Sequence, residues 1–200
     1  MKIPSETFFQ GNAEIMVSDG MLIRIENTGT TPCDVVVPEI TPAGVEINAV
    51  DAYTVFGSFG KISLPDSIMN IDHYAFCCAC VQEMNWPYCC ETIPAHCFDR
   101  CRISSLYGHY GVSFIDESAF EQCTIKEFYW PDRCTEIPDR CFYYSRLSKI
   151  KNISHVLAIG TKAFDCSNVM NLDLSDSCVQ RIGEFAFDAM SKVILPYYCN

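Results

Sequence analysis

A phenylalanine preceded by a small residue returns at a fixed interval: Ala75-Phe76, Cys97-Phe98, Ala119-Phe120, Cys141-Phe142, Ala163-Phe164 and Ala186-Phe187. The step is 22 residues four times and then 23, and Val55-Phe56 begins the series 20 residues earlier. An isoleucine stands five residues before each of the last six phenylalanines, at Ile71, Ile93, Ile115, Ile137, Ile159 and Ile182. After them come Val81, Ile103, Ile125, Leu147 and Val169, then Met84, Leu106, Phe128, Ile150 and Leu172, so every column is apolar. One such unit cannot bury its apolar face alone, whereas units stacked in register share a continuous core. The repeat therefore predicts a solenoid.

The segments ISLP, MNWP, FYWP and VILP end at Pro65, Pro87, Pro131 and Pro196. Their alternation predicts a short strand closed by a residue that cannot donate to a ladder. Each repeat reads as a strand, a turn and a return segment carrying the Ala-Phe pair. At the usual strand spacing of about 4.8 Å, seven coils would make a body roughly 35 Å long. Leu64, Trp86, Gly108, Trp130, Asn152, Leu174 and Leu195 share a column, so Gly108 lies between two tryptophans. Close packing predicts that this glycine makes room for the two indoles.

The blocks LPDSIMNIDHYAF (64–76), IDESAFEQCTIKEF (115–128) and IPDRCFYYSRLSKI (137–150) resemble the BspA-like leucine-rich repeats, over roughly residues 45–197. The resemblance implies an α/β-type solenoid. This is a right-handed leucine-rich-repeat coil with a parallel sheet of short strands on one face and turns or short helical segments on the other. It implies two regions: an N-terminal capping segment, 1–44, and a solenoid of about seven coils, 45–200. Within the first region, 19–39 is similar to the non-repeat lead-in of such arrays, and Ile3-Pro4 with Phe8 echoes a degenerate partial repeat. Members of the family are found on the surfaces of bacteria and parasitic protists and are associated with adhesion. The resemblance thus implies a non-catalytic protein-binding or cell-adhesion module whose partner is a protein, including host or cell-surface proteins.

Composition narrows the partners. An apolar fraction of 49% with 20% charged residues excludes a disordered chain. A net charge of −11 opposes phosphate backbones and anionic lipid surfaces, so nucleic acid is not an expected partner. No stretch approaches 18 uninterrupted apolar residues, which predicts no membrane insertion, and the opening residues lack the pattern of an export signal. That lack, together with fourteen cysteines, points to a reducing cytoplasm and an intracellular interaction scaffold, whereas the family resemblance points to the cell surface. Both compartments stay open at this stage.

Six cysteines fall in apolar columns, where cysteine serves as a small hydrophobe: Cys97 and Cys141 replace the alanine, Cys101 and Cys123 share a column, and Cys90 and Cys134 share another. Cys33, Cys77, Cys78, Cys89, Cys166 and Cys199 lie outside these columns and are candidates for exposure, and Cys101 and Cys123 could bridge in an oxidising compartment. No pair of CxxC motifs supplies the four converging ligands of zinc, so neither metal nor cofactor is expected. The four histidines are dispersed and no nucleophile-and-base constellation is present, so no enzyme is expected. Asp66, Asp116, Glu117 and Asp132 fall at turns, where capping is the ordinary role.

In ISLP the residue between the two outer apolar side chains points away from the core. This defines an outward column, Ser63, Asn85, Tyr107, Tyr129, Lys151, Asp173 and Ile194. A flanking column holds Lys61, Glu83, Ser105, Glu127, Lys149, Asn171 and Lys192. The candidate binding residues are Tyr107 and Tyr129, extended by Asn85, Lys151, Asp173, Glu83 and Glu127. Tyrosine combines a large contact area with a polar tip, as interface hot spots do. The competing reading makes the two tyrosines a cross-strand pair that stabilises the sheet.

Overall fold

The computed structural model of the protein describes residues 5–169, 172–190 and 192–197. Strands Cys33–Val36, Ser58–Ser63, Cys80–Asn85, Arg102–Tyr107, Thr124–Tyr129 and Arg146–Lys151 lie side by side in chain order as one parallel sheet. Leu172–Asp173 and Val193–Ile194 pair in parallel beyond them. A second row consists of two-residue strands, among them Asn70–Ile71, Thr92–Ile93, Phe114–Ile115, Glu136–Ile137, Ala158–Ile159 and Arg181–Ile182. The Ala-Phe turns form the third side.

The inward columns are those of the repeat. Ile103 and Leu106 are buried, as are their counterparts Ile125 and Phe128, and the isoleucines from Ile71 to Ile159 are buried while Ile182 is half-buried. Alternation holds at the strand ends, where Ile62 and Leu64 point in and Ser63 lies between them. It fails earlier in each strand: two residues, such as Ser104 and Ser105, separate one buried side chain from the next. Phe76, Phe98, Phe120, Phe142 and Phe164 stack in a buried file with centroids 5.2–5.4 Å apart, which follows the coil-to-coil step of a parallel sheet. Phe187 continues it at 5.9 Å. Trp86 and Trp130 close the core beside this file, and their buried indole N–H groups donate to the carbonyls of Cys90 (2.9 Å) and Cys134 (2.7 Å).

The expected α/β character and short helical segments are corrected. Among the described residues the helical content is a single 3-10 turn, His109–Gly111, and the architecture is a β-solenoid. The physical reason lies beside the Ala-Phe pairs. Tyr74 and Cys78, His96 and Arg100, Ser118 and Gln122, and Arg140 and Tyr144 all take left-handed φ values between 53° and 62°. Two left-handed residues four positions apart exclude a right-handed helical turn. Their amides serve the neighbouring coil instead: Phe98 N–H donates to the Ala119 carbonyl (2.8 Å) and Arg100 N–H to that of Glu121 (2.9 Å).

The first Phe position is also corrected. Thr54 N–H donates to the Ala75 carbonyl (2.8 Å) as Phe76 N–H does to that of Cys97 (3.0 Å), so the buried Thr54 holds the place expected of Phe56. Phe56 is exposed beneath the Arg24 guanidinium, 5.0 Å from its ring centre. The step is thus 22 residues from Thr54 to Phe164 and 23 only in the last coil.

Upstream, Glu6–Gln10, Ala13–Ser18 and Met21–Asn27 form an antiparallel meander. Met21–Asn27 pairs in parallel with Ala49–Val50 and Val55–Phe56, and Cys33–Val36 pairs with Ser58–Ser63, tying this region to both rows. Ala13, Ile15, Val17, Leu22 and Ile25 join the same buried cluster as the coils. Phe8 faces Ile15 across the meander rather than entering a coil, and Ile3 and Pro4 lie outside the described residues.

Candidate binding face

The outer face of the long-strand sheet carries the residues singled out from the sequence. Tyr107 and Tyr129 are 44% and 42% exposed, Glu83, Glu127 and Lys151 are exposed, and Asn85 is half-buried. Tyr107 pairs directly with Asn85, Tyr129 with Lys151, and Glu127 with Lys149. Lys151 and Glu127 also form a salt bridge. Asp173 is exposed but lies in the separate ladder with Ile194, where its carboxylate accepts from Ser175 N–H at 2.9 Å. Asn171 and Cys199 fall outside the described residues.

Tyr107 and Tyr129 do not form the cross-strand pair considered above. Their strands pair only at Arg102 with Thr124 and Ile103 with Ile125, and no ring contact joins them among the described residues. The cause is Gly108. At the equivalent position, Trp86 N–H donates to the Tyr107 carbonyl (2.7 Å) and Trp130 N–H to that of Lys151 (2.9 Å). Gly108 has φ 77°, and the Tyr129 carbonyl receives the His109 imidazole Nε2 instead, at 2.6 Å. A carbonyl only accepts, so Nε2 carries the proton; Nδ1 is buried without a partner. Burial pulls the His109 pKa below its ordinary value, opposed by the bond to Tyr129. The expectation that Gly108 makes room between two indoles is corrected as well. A Cβ there would sit 2.5 Å from the Trp86 carbonyl oxygen, so backbone approach and left-handed φ require the glycine.

The local divergence opens the sheet and brings up two tyrosines missed in the sequence. Tyr110, 61% exposed, meets Tyr129 edge to face at 6.3 Å. Tyr88 occupies the same column one coil earlier and is 69% exposed. Tyr88, Tyr107, Tyr110 and Tyr129 thus place four exposed phenols at the C-terminal ends of successive long strands. The available signal was the 22-residue offset between Tyr88 and Tyr110. It lay outside the apolar columns used to set the register.

The charge on this face differs from that of the chain. The five strands from Ser58 to Lys151 carry Lys61, Arg102, Lys126, Arg146, Lys149 and Lys151 against Glu83 and Glu127 alone, while the whole chain stands at −11. Elsewhere the polar groups serve the fold. Asp66 accepts from Tyr88 N–H (2.9 Å), Asp116 from Glu117 N–H (2.8 Å), and Asp132 from the Asn152 amide (2.6 Å). Cys90, Cys97, Cys101, Cys123, Cys134 and Cys141 are buried, and burial pushes the Cys90 and Cys134 thiols up to about 11 and about 12. Cys77, Cys33 and Cys166 are half-buried, Cys78, Cys89 and Cys178 exposed.

Stacked coils with a parallel sheet, an aromatic file and left-handed turns define a repeat solenoid. The chain belongs to the BspA type leucine rich repeat family, whose model matches residues 2–126 and 91–197 in 6 copies. A crystal structure of a leucine rich cell surface protein from Faecalibacterium prausnitzii A2-165 shares the fold, with a TM-score of 0.61 at 20% identity over 94% of this chain and 54% of that one. This chain therefore spans about half the length of that protein. None of the curated proteins matches the chain. Among the described residues, no helix is long and apolar enough to cross a membrane.

Proposed function

We propose that the protein is a non-catalytic protein-binding module of the adhesion type, working at the cell surface, with residues 1–44 capping the solenoid. The observation that carries this reading is the shelf of Tyr88, Tyr107, Tyr110 and Tyr129, all exposed, beside a sheet whose inward side chains belong to the core. Large exposed phenols gathered at one end of a sheet fit a contact surface. Family membership and the fold shared with a protein described as a cell surface protein support the same reading.

The test is adhesion of protein-coated beads to cells and to immobilised extracellular proteins. Changing Tyr107, Tyr110 and Tyr129 together to alanine should leave the circular dichroism spectrum unchanged and weaken binding at least about tenfold, or roughly 1.4 kcal/mol. Equal binding by the folded variant would move the contact off this shelf.

A further inference from the structure

Beside the tyrosine shelf, the same face carries a shallow depression of about 400 Å³ toward the N-terminal ends of the strands. Its columns alternate in chemistry. Along one, Arg102, Thr124 and Arg146 succeed each other on neighbouring coils; along the next stand Ser104, Lys126 and Ser148. Three cations therefore zigzag across three coils, with short hydroxyl side chains in the places between. Arg102, Arg146 and Lys126 are all exposed, none has an ion-pair partner among the described residues, and no acidic residue lines the depression.

We propose that this depression binds an acidic segment of the partner protein, laid in extended form along the coil axis. This deepens the reading of the sheet face as the contact surface and rests on it. Two coil steps separate the arginines by about 9.6 Å, and carboxylates on one face of an extended segment repeat about every 6.6 Å, within reach of long flexible side chains. Guanidinium groups take carboxylates through two parallel hydrogen bonds, and the serine and threonine hydroxyls can donate to the remaining oxygens. A long polyanion such as a sulfated glycan or nucleic acid would meet the repulsion of a chain at −11 beyond the patch, whereas a short acidic segment can stay over a lining that holds three cations and no carboxylate.

The probe is a fluorescent decaglutamate peptide, with an uncharged Gly-Ser peptide of equal length as control, followed by anisotropy at low ionic strength. Decaglutamate should bind in preference to the control. Its affinity should fall at least tenfold in the folded variant Arg102→Gln, Lys126→Gln, Arg146→Gln. The variant lacking Tyr107, Tyr110 and Tyr129 should retain decaglutamate binding, so loss of adhesion in that variant reports on the tyrosine shelf alone. Equal binding of both peptides, or an undiminished affinity in the glutamine variant, would overturn the proposal. Binding of heparin without binding of decaglutamate would assign a sulfated glycan and overturn it too. Should the triple glutamine variant fail to fold, Lys126→Met alone must weaken decaglutamate binding measurably for the proposal to stand.

Discussion

His109 closes an opening that its own neighbour creates. Gly108, at φ 77°, stands where Trp86 and Trp130 donate to the next coil, and the His109 imidazole supplies a donor to the Tyr129 carbonyl while stacking on Phe128 with ring centres 5.0 Å apart. A buried imidazole with a depressed pKa favours the neutral form in the folded state. The unfolded chain then binds more protons than the folded one below the ordinary histidine pKa. The stability His109 contributes is present above that value and lost as pH falls through the folded pKa. His109→Gln keeps a side-chain donor without the titration. Thermal unfolding followed across mildly acidic pH should show a smaller acid-induced fall in Tm for this variant than for the wild type. Parallel curves would mean that His109 does not titrate between the folded and unfolded states. The sequence offered only an isolated histidine next to an isolated glycine, in one coil of the array, so neither periodicity nor spacing could reveal their joint role.

At the scale of the element, the corner flanking each Ala-Phe pair is held by left-handed residues that are not glycine. Gln122, at φ 54°, is exposed, and its N–H donates to the Tyr143 carbonyl at 2.8 Å. A left-handed residue with a Cβ costs about 1–2 kcal/mol, and glycine gives back about 0.5–1 of that through the greater entropy it loses on folding. Gln122→Gly should therefore raise the stability by about 0.5–1 kcal/mol in chemical denaturation. A loss of stability would show that the Gln122 side chain, not the backbone, matters at this corner. These corners were illegible for a plain reason: residues such as Tyr74, Arg100 and Gln122 carry no local preference for left-handed φ, and the coil-to-coil hydrogen bonds impose it. The strands were legible because inward and outward side chains differ in polarity. The columns of Ile103 and Leu106, and the exposure of Tyr107, Tyr129 and Lys151, follow from that contrast. Arg102, Lys126 and Arg146 escaped notice because they occupy two columns on three coils, and no single column reads as basic.

For the whole molecule, the 22-residue step specifies the stacking, and stacking accounts for six of the fourteen cysteines. Ellman's reagent applied to the native protein should modify Cys78, Cys89 and Cys178 quickly and leave Cys90, Cys97, Cys101, Cys123, Cys134 and Cys141 unreacted until denaturant is added. Rapid labelling of the second group would contradict the packed core. The solenoid presents three long sides, the long-strand sheet, the row of two-residue strands and the turns, and the first of them carries the proposed contact. A photo-crosslinking residue can be placed at Tyr107 on the sheet or at Tyr144, which is 56% exposed on the turn side. With an adherent cell or purified partner present, crosslinks should form from position 107 and not from position 144. Crosslinks from position 144 alone would contradict the central claim and place the contact on the turns.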